Sequence, residues 1–226
     1  MLHHEQDIKI QIFLTSWPGR EEMARQTKKS LPKPITVINS GTPTENWENV
    51  GDLYYGEQFK EILKRHDDKS TIMNIQGDAT YHNWEEVISR YKTAYILFRP
   101  GVFAPNDTKT IWGAKPDGKD YGDGFKEASN TDCTVWFISP KVLKILKNID
   151  LSESKYGWGI DSIACAISRS LDLPIIRDYS ITIEHHGGTG YSAKQAKKEM
   201  DELYNKLPKY LQSLFPHGNK ENGLLK

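Results

Sequence analysis

The chain has 226 residues and a mass of 25.9 kDa, long enough to bury roughly 70% of its unfolded surface around one core. Thirty basic side chains balance thirty acidic ones, which removes the electrostatic argument for a strong nucleic-acid or anionic-membrane partner and leaves nucleic acid as an unfavoured alternative. Two cysteines, Cys133 and Cys165, both in apolar segments, exclude a disulfide scaffold and a CxxC zinc site and point to a reducing interior. The opening MLHHEQDIKI lacks the apolar centre of a signal peptide, and no apolar run nears the roughly 20 residues that span a bilayer. A cytoplasmic protein with no transmembrane segment is therefore expected. His3 and His4 receive no role.

In chain order, IKIQIFL (8–14) alternates as a strand does, and TSWPGREEMARQTKKSL turns into a helix with Met23, Thr27 and Leu31 on one side. ITVIN (35–39) is a second strand; Phe59, Ile62 and Leu63 mark a helix in GEQFKEILKR; and TIMNI (71–75) is a third strand. Asn83 caps the next helix, with Glu86 three positions on and Trp84, Val87, Ile88 and Tyr91 at helical spacing. TAYILF (93–98) reads as a strand, and residues 100–131, rich in glycine and proline, read as a long irregular excursion. CTVWFI (133–138) restores a strand, and Ser139-Pro140 opens a helix carrying Val142, Leu143 and Leu146. Ile163, Ala164, Ile167 and Leu171 mark a further helix after YGWGIDS, and LPIIRDYSITIEHH is extended, with Tyr179, Ile181 and Ile183 alternating. Ser192 and Gln195 cap a last helix (192–207) carrying Ala196, Met200 and Leu203, stopped by Pro208, and the tail 216–226 reads as frayed.

Strands alternating with helices predict one α/β domain over 1–226, with a mostly parallel central sheet flanked by helices and a core over about 8–191. Such sheets bind ligands beyond the carboxyl ends of their strands. Thr15 and Ser16 end the first strand, Asn39 and Ser40 the second, and Gln76 and Asp78 the third, so these polar groups are candidates for one crevice.

This order of parts resembles the GT-A fold of nucleotide-sugar-dependent glycosyltransferases, over roughly residues 8–191. Gln76-Gly77-Asp78 stands where that family places its acidic DxD motif, with glutamine in place of the first acid. YGWGIDS (156–162) is similar to the Gly-Trp-Gly stretch and nearby acid of several inverting members, and DYSITIEHHGGTGYS (178–192) to the last strand and glycine-bearing loop of metal-dependent members. The resemblance implies transfer of a sugar from a nucleotide-diphosphate donor, a uridine diphosphate sugar by family frequency, to a hydroxyl of a glycan or other acceptor, with inversion.

The residues carry that chemistry as follows. A divalent cation, Mn2+ or Mg2+, stabilises a departing diphosphate. Asp78 is its first candidate ligand, unless it only shapes a Gly-Asp turn. Glu184, His185 and His186 cannot all meet one ion, because successive strand side chains face opposite ways; His185, on the parity of Ile181 and Ile183, matches the family histidine, and an exposed strand end is the plainer account. Asp161 is the candidate general base, or else a first-turn helix aspartate. Trp158 and Gly159 are candidate acceptor contacts, Trp158 offering a flat apolar face. Thr15, Ser16, Arg20, Asn39, Gln76 and Gly77 are candidate donor contacts by strand-end position, and Tyr191, in a loop able to close, a candidate diphosphate contact. The competing functions are a metal-dependent hydrolase of a phosphate or sugar ester, and a glycosyltransferase acting on modified nucleic-acid bases.

Overall fold

The structure, a computed structural model, describes residues 8–32, 34–115, 117–187 and 190–215. Its elements in order are β1 (Ile10–Ser16), α1 (Glu21–Ser30), β2 (Ile35–Asn39), β3 (Glu48–Asn49), α2 (Tyr55–Arg65), β4 (Thr71–Gln76), β5 (Ala79–Thr80) and α3 (Trp84–Phe98). There follow β6 (Val102–Asp107), β7 (Asp120–Gly122), β8 (Phe125–Glu127), β9 (Val135–Ile138), α4 (Pro140–Leu146), α5 (Ile160–Ser170), β10 (Ile175–His185), α6 (Ala193–Lys206) and α7 (Lys209–Gln212). The expected tail 216–226 lies outside the described residues.

Strand alternation sorts the core into two layers. Phe13, Ile38, Ile72, Trp136 and Ile138 pack on one face of the sheet against α2, α4 and α5, while Ile12, Leu14, Val37, Met73, Ile75 and Phe137 pack on the other against α1 and α3. Both faces are covered because β1 and β4 are apolar in consecutive positions, the signature of a strand buried on two sides. Each fully buried large aliphatic or aromatic side chain contributes about 1.5–3 kcal/mol of transfer free energy.

Ten strands form one sheet in the order β3-β2-β1-β4-β9-β6-β10-β8-β7, with β5 paired to β10. The sheet is mixed, which corrects the expectation of a mostly parallel one. The pairs of β1 with β2 and β4, of β2 with β3, and of β6 with β10 are parallel, but β9 runs antiparallel between β4 and β6, and β8 antiparallel to β10. The reversal arises in the stretch read as an irregular excursion: it contains β6 and the β7–β8 hairpin, from which the chain re-enters the sheet beside the end of β4, with Val135 opposite Ile75.

TAYILF (93–98) is a second correction, being the last part of a 15-residue helix rather than a strand. Asn83 caps α3 by accepting a hydrogen bond from the Glu86 amide at 3.3 Å, and Trp84, Val87, Tyr91 and Ala94 carry the buried stripe on into the misread segment. Ile96 and Leu97, which make the segment look like a buried strand, are 63% and 61% exposed. The helix stops at Arg99, which takes the left-handed conformation at φ 50°.

Candidate functional site

The polar groups gather where the parallel strands end. Gly77 and Asp78 make the turn from β4 into β5, and Gly77 is required there, since a Cβ on it would lie 2.4 Å from the Thr15 carbonyl oxygen at the end of β1. β5 then pairs with the end of β10, placing His185 opposite Ala79, and the His186 amide donates to the Asp78 carbonyl at 3.0 Å. On the far side, the Thr108 amide donates to the Ile183 carbonyl at 3.1 Å and the His185 amide donates to Thr108 Oγ1 at 3.1 Å, which ties the end of β6 to the same place.

Asp78 and His185 therefore meet. His185 Nε2 stands 3.4 Å from Asp78 Oδ2, and its Nδ1 is 3.7 Å from Asp107 Oδ2 and 3.4 Å from Thr134 Oγ1. Asp78 is 2% exposed and its Oδ1 has no hydrogen-bond partner among the described residues. Burial pulls the His185 pKa down, but the hydrogen bond and charge of Asp78, with the charge of Asp107, outweigh it and hold the ring above its usual value. The opposite parity holds for the neighbours: His186 Nε2 is 2.7 Å from Thr80 Oγ1 and 3.6 Å from Glu184 Oε2, on the outer side of the strand.

Among the described residues no three His, Cys, Asp or Glu side chains are placed to hold one metal ion. A two-ligand set still fits a cation of the magnesium type, which is commonly held by one or two protein groups with substrate phosphates and water completing the shell. The buried, unpartnered oxygen of Asp78 is the observation that makes the pair suitable, because a desolvated carboxylate oxygen without a donor or cation is costly.

The second half of the site is built on α5. Gly159 caps that helix at φ 88°, and Asp161 lies in its first turn, where Oδ1 accepts from the Ser162 amide at 2.7 Å. Asp161 is half-buried, and the protein around it desolvates its carboxyl. Burial, reinforced by the charge of Asp132 and opposed by the Ser162 amide, pushes the Asp161 pKa up to about 7. Asp132 is placed differently, since its Oδ2 accepts from the fully buried Arg177 guanidinium at 3.0 Å.

Trp158, three positions before Asp161 in the chain, belongs to an aromatic cluster. Trp158 Nε1 donates to Tyr191 Oη at 3.0 Å, Tyr191 stacks on Tyr156 at 4.4 Å, and Tyr54 stands edge-on to Tyr156 at 4.7 Å. Burial raises the Tyr191 phenol to about 12, so it stays protonated at neutral pH. Trp158 and Tyr191, expected at the acceptor and the diphosphate respectively, are thus direct partners.

Cys133 and Thr134, entering β9, join the two halves. Gln76 Nε2 donates to the Cys133 carbonyl at 3.3 Å and to Sγ at 3.4 Å, the Gln76 amide donates to the Thr134 carbonyl at 2.8 Å, and the Tyr55 hydroxyl, which donates to Asn74 Oδ1 at 2.7 Å, lies 3.4 Å from the Cys133 carbonyl oxygen. Of the remaining expected residues, Thr15 and Ser16 are fully buried at the end of β1, where Thr15 Oγ1 donates to the Ile75 carbonyl at 3.4 Å and Ser16 Oγ has no partner among the described residues. Both amide hydrogens of Asn39 are engaged within the chain, by the Thr42 carbonyl and by Asn49 Oδ1, each at 2.9 Å. Arg20 caps α1 and its guanidinium turns back to Met23 Sδ at 3.8 Å. Asn39 and Arg20 therefore organise their own loop and helix.

Sequence reasoning passed over Asp107, Cys133 and Thr134. Asp107 was hidden by the strand wrongly placed at 93–98, which displaced β6; a strand reading of VFAPND would have put an acid at its carboxyl end beside the others.

No sequence-family model and no curated protein sequence matches the chain. Solved structures do. GalNAc-T7, crystallised with UDP, GalNAc and Mn2+, superposes with a TM-score of 0.62 at 7% identity over 91% of this chain and 49% of that one. S. aureus TarS, as residues 1–349, superposes with a TM-score of 0.56 at 11% identity over 92% of this chain and 70% of that one. The chain spans about half the length of GalNAc-T7. Both are GT-A proteins, and at these identities the likeness concerns architecture. With its mixed central sheet, helices on both faces and polar strand ends gathered at one edge, this chain adopts the GT-A fold.

Proposed function

We propose that the chain is a glycosyltransferase that moves a sugar from a nucleotide-diphosphate donor, a uridine diphosphate sugar, to an acceptor hydroxyl with inversion. The observation that carries this reading is the meeting of Asp78, with its buried unpartnered oxygen, and His185 at the carboxyl edge of a GT-A sheet. Asp78 and His185 would hold Mn2+ or Mg2+, which when bound offsets charge on the departing diphosphate. GalNAc-T7, solved with UDP and Mn2+, supports that choice by analogy of fold.

The chain's own residues supply the rest. Asp161, with a pKa of about 7, takes the proton from the acceptor hydroxyl as its oxygen attacks the anomeric carbon. Asp132 is the weaker candidate for that task because Arg177 already occupies its Oδ2. The face of Trp158, with the backbone at Gly159, would receive the acceptor, and Tyr191 would contact the diphosphate. On the donor side Ser16, whose buried hydroxyl has no partner among the described residues, is the best placed, with Thr15, Gln76 and Gly77 around it and Asn39 and Arg20 at the margin. No helix among the described residues is long and apolar enough to cross a membrane. Cytoplasmic placement, which two unpaired cysteines suit, belongs to the same proposal.

Thermal unfolding in the presence of nucleoside diphosphates tests the reading. UDP at a hundred times its Kd contributes about 2.7 kcal/mol, which for a chain of this size raises Tm by roughly 5–10 °C. The rise should require Mn2+ or Mg2+. Equal stabilisation by inorganic phosphate and metal, without preference for a nucleotide, would favour the hydrolase instead.

A further inference from the structure

We infer that Asp107 is a positioning residue for the cation site: it holds the Nδ1 proton of His185 and so directs the Nε2 lone pair to the ion beside Asp78. The inference rests on the proposed cation role of Asp78 and His185.

Three features of the geometry support it. Asp107 ends β6, is 6% exposed, and its Oδ2 is a buried oxygen with no hydrogen-bond partner among the described residues. That oxygen faces His185 Nδ1 at 3.7 Å, an ion-pair distance, while Asp78 Oδ2 faces Nε2 at 3.4 Å, so the ring lies between the two carboxylates with one nitrogen toward each. The two nitrogens of an imidazole point in divergent directions, so an ion shared by Nε2 and Asp78 leaves Asp107 outside its shell. Finally, the other Asp107 oxygen is committed, Oδ1 accepting from the Lys109 amide at 2.6 Å. Oδ2 is thereby turned to the ring.

Thr134 Oγ1 also faces Nδ1, at 3.4 Å, but a hydroxyl donates or accepts equally well and leaves the tautomer open. A carboxylate only accepts. Of the two groups at Nδ1, Asp107 alone demands a proton there. Once an ion replaces the proton on Nε2, Nδ1–H toward Asp107 is the arrangement that satisfies both sides. Ligating histidines characteristically rest on such a partner, and its loss weakens metal affinity by about 10–100-fold.

The test uses Mn2+ titration of the full chain with UDP, read by the electron paramagnetic resonance signal of free Mn2+ and by 14N modulation from a coordinated imidazole. Asp107→Asn is nearly isosteric, but with its one carbonyl oxygen held by the Lys109 amide it turns an NH2 toward Nδ1, donor against donor. It should weaken Mn2+ binding by about 10–100-fold and remove the 14N modulation, as His185→Gln does, while Thr134→Val stays within about twofold of wild type. A 15N spectrum of the wild type with Mg2+ and UDP needs no variant: the proton of His185 should be on Nδ1. Equal Mn2+ affinity and modulation in Asp107→Asn, loss in Thr134→Val instead, or a proton on Nε2 each overturns the inference. Absence of any Mn2+ binding by the wild type overturns the underlying cation reading.

Discussion

At the scale of single residues, the site separates two carboxylates by their surroundings. Asp132 is answered by Arg177, whereas Asp161 has no ion-pair partner among the described residues and burial pushes its pKa up to about 7. Asp161→Asn should lower transfer by about 10²–10⁴-fold, the usual worth of a general base, while leaving UDP binding unchanged in a thermal-shift titration. In the wild type, the rate should climb as pH rises through about 7 and then level, because the base works only when deprotonated. A flat profile from pH 6 to 8 would remove Asp161 from that role. Asp78→Ala should abolish the dependence of UDP binding on Mn2+; unchanged dependence would return Asp78 to the part of a turn residue. Asp78, His185, Trp158 and Tyr191 could be named as candidates from strand ends and local motifs. Asp107 and Thr134 were not, because each matters only through His185, 78 and 51 positions away along the chain.

At the scale of elements, α3 shows where periodicity misleads. TAYILF is rich in aromatic and branched residues, and a short apolar run does not by itself distinguish strand from buried helix. What decides is the stripe at Tyr91 and Ala94, continuous with Trp84 and Val87, and a fixed tertiary partner. Arg90, on the same helix, donates through Nε to Asp178 Oδ2 at 2.7 Å and through Nη1 to Asp123 Oδ2 at 2.6 Å, and lies over the Phe125 ring at 3.9 Å. It fastens α3 to β10 and the β7–β8 hairpin. Asp178 is fully buried, so Arg90→Met should cost about 3–5 kcal/mol by leaving that carboxylate without its cation, seen as a lower denaturation midpoint at unchanged m-value. A loss under about 1 kcal/mol would mean that water, with the two hydrogen bonds that Ser180 already donates, satisfies the carboxylate without the guanidinium.

At the scale of the whole molecule, the proposed base opposes stability. The folded state raises the Asp161 pKa to about 7, above the unfolded value near 3.9. Its contribution to stability is fully present below about pH 4 and is lost as pH rises through about 7, so the proposed base would become available over the range in which this group weakens the fold. Asp161→Asn should remove that part of the pH dependence and leave the variant more resistant to denaturant than wild type at pH 8, measured by urea titration at pH 4 and pH 8. An identical pH dependence in the two proteins would mean that the carboxyl is solvated in the fold. The amino-acid sequence by itself determined the α/β class, the two-faced burial of the central strands, most helix starts and the set of polar strand ends, because periodicity, caps and turn residues act over a few neighbours. Only the tertiary structure decided that β9 enters antiparallel, that Asp107 stands behind His185, and that burial raises the Asp161 pKa. Sheet order and desolvation are properties of segments brought together from far along the chain, and no local pattern specifies them.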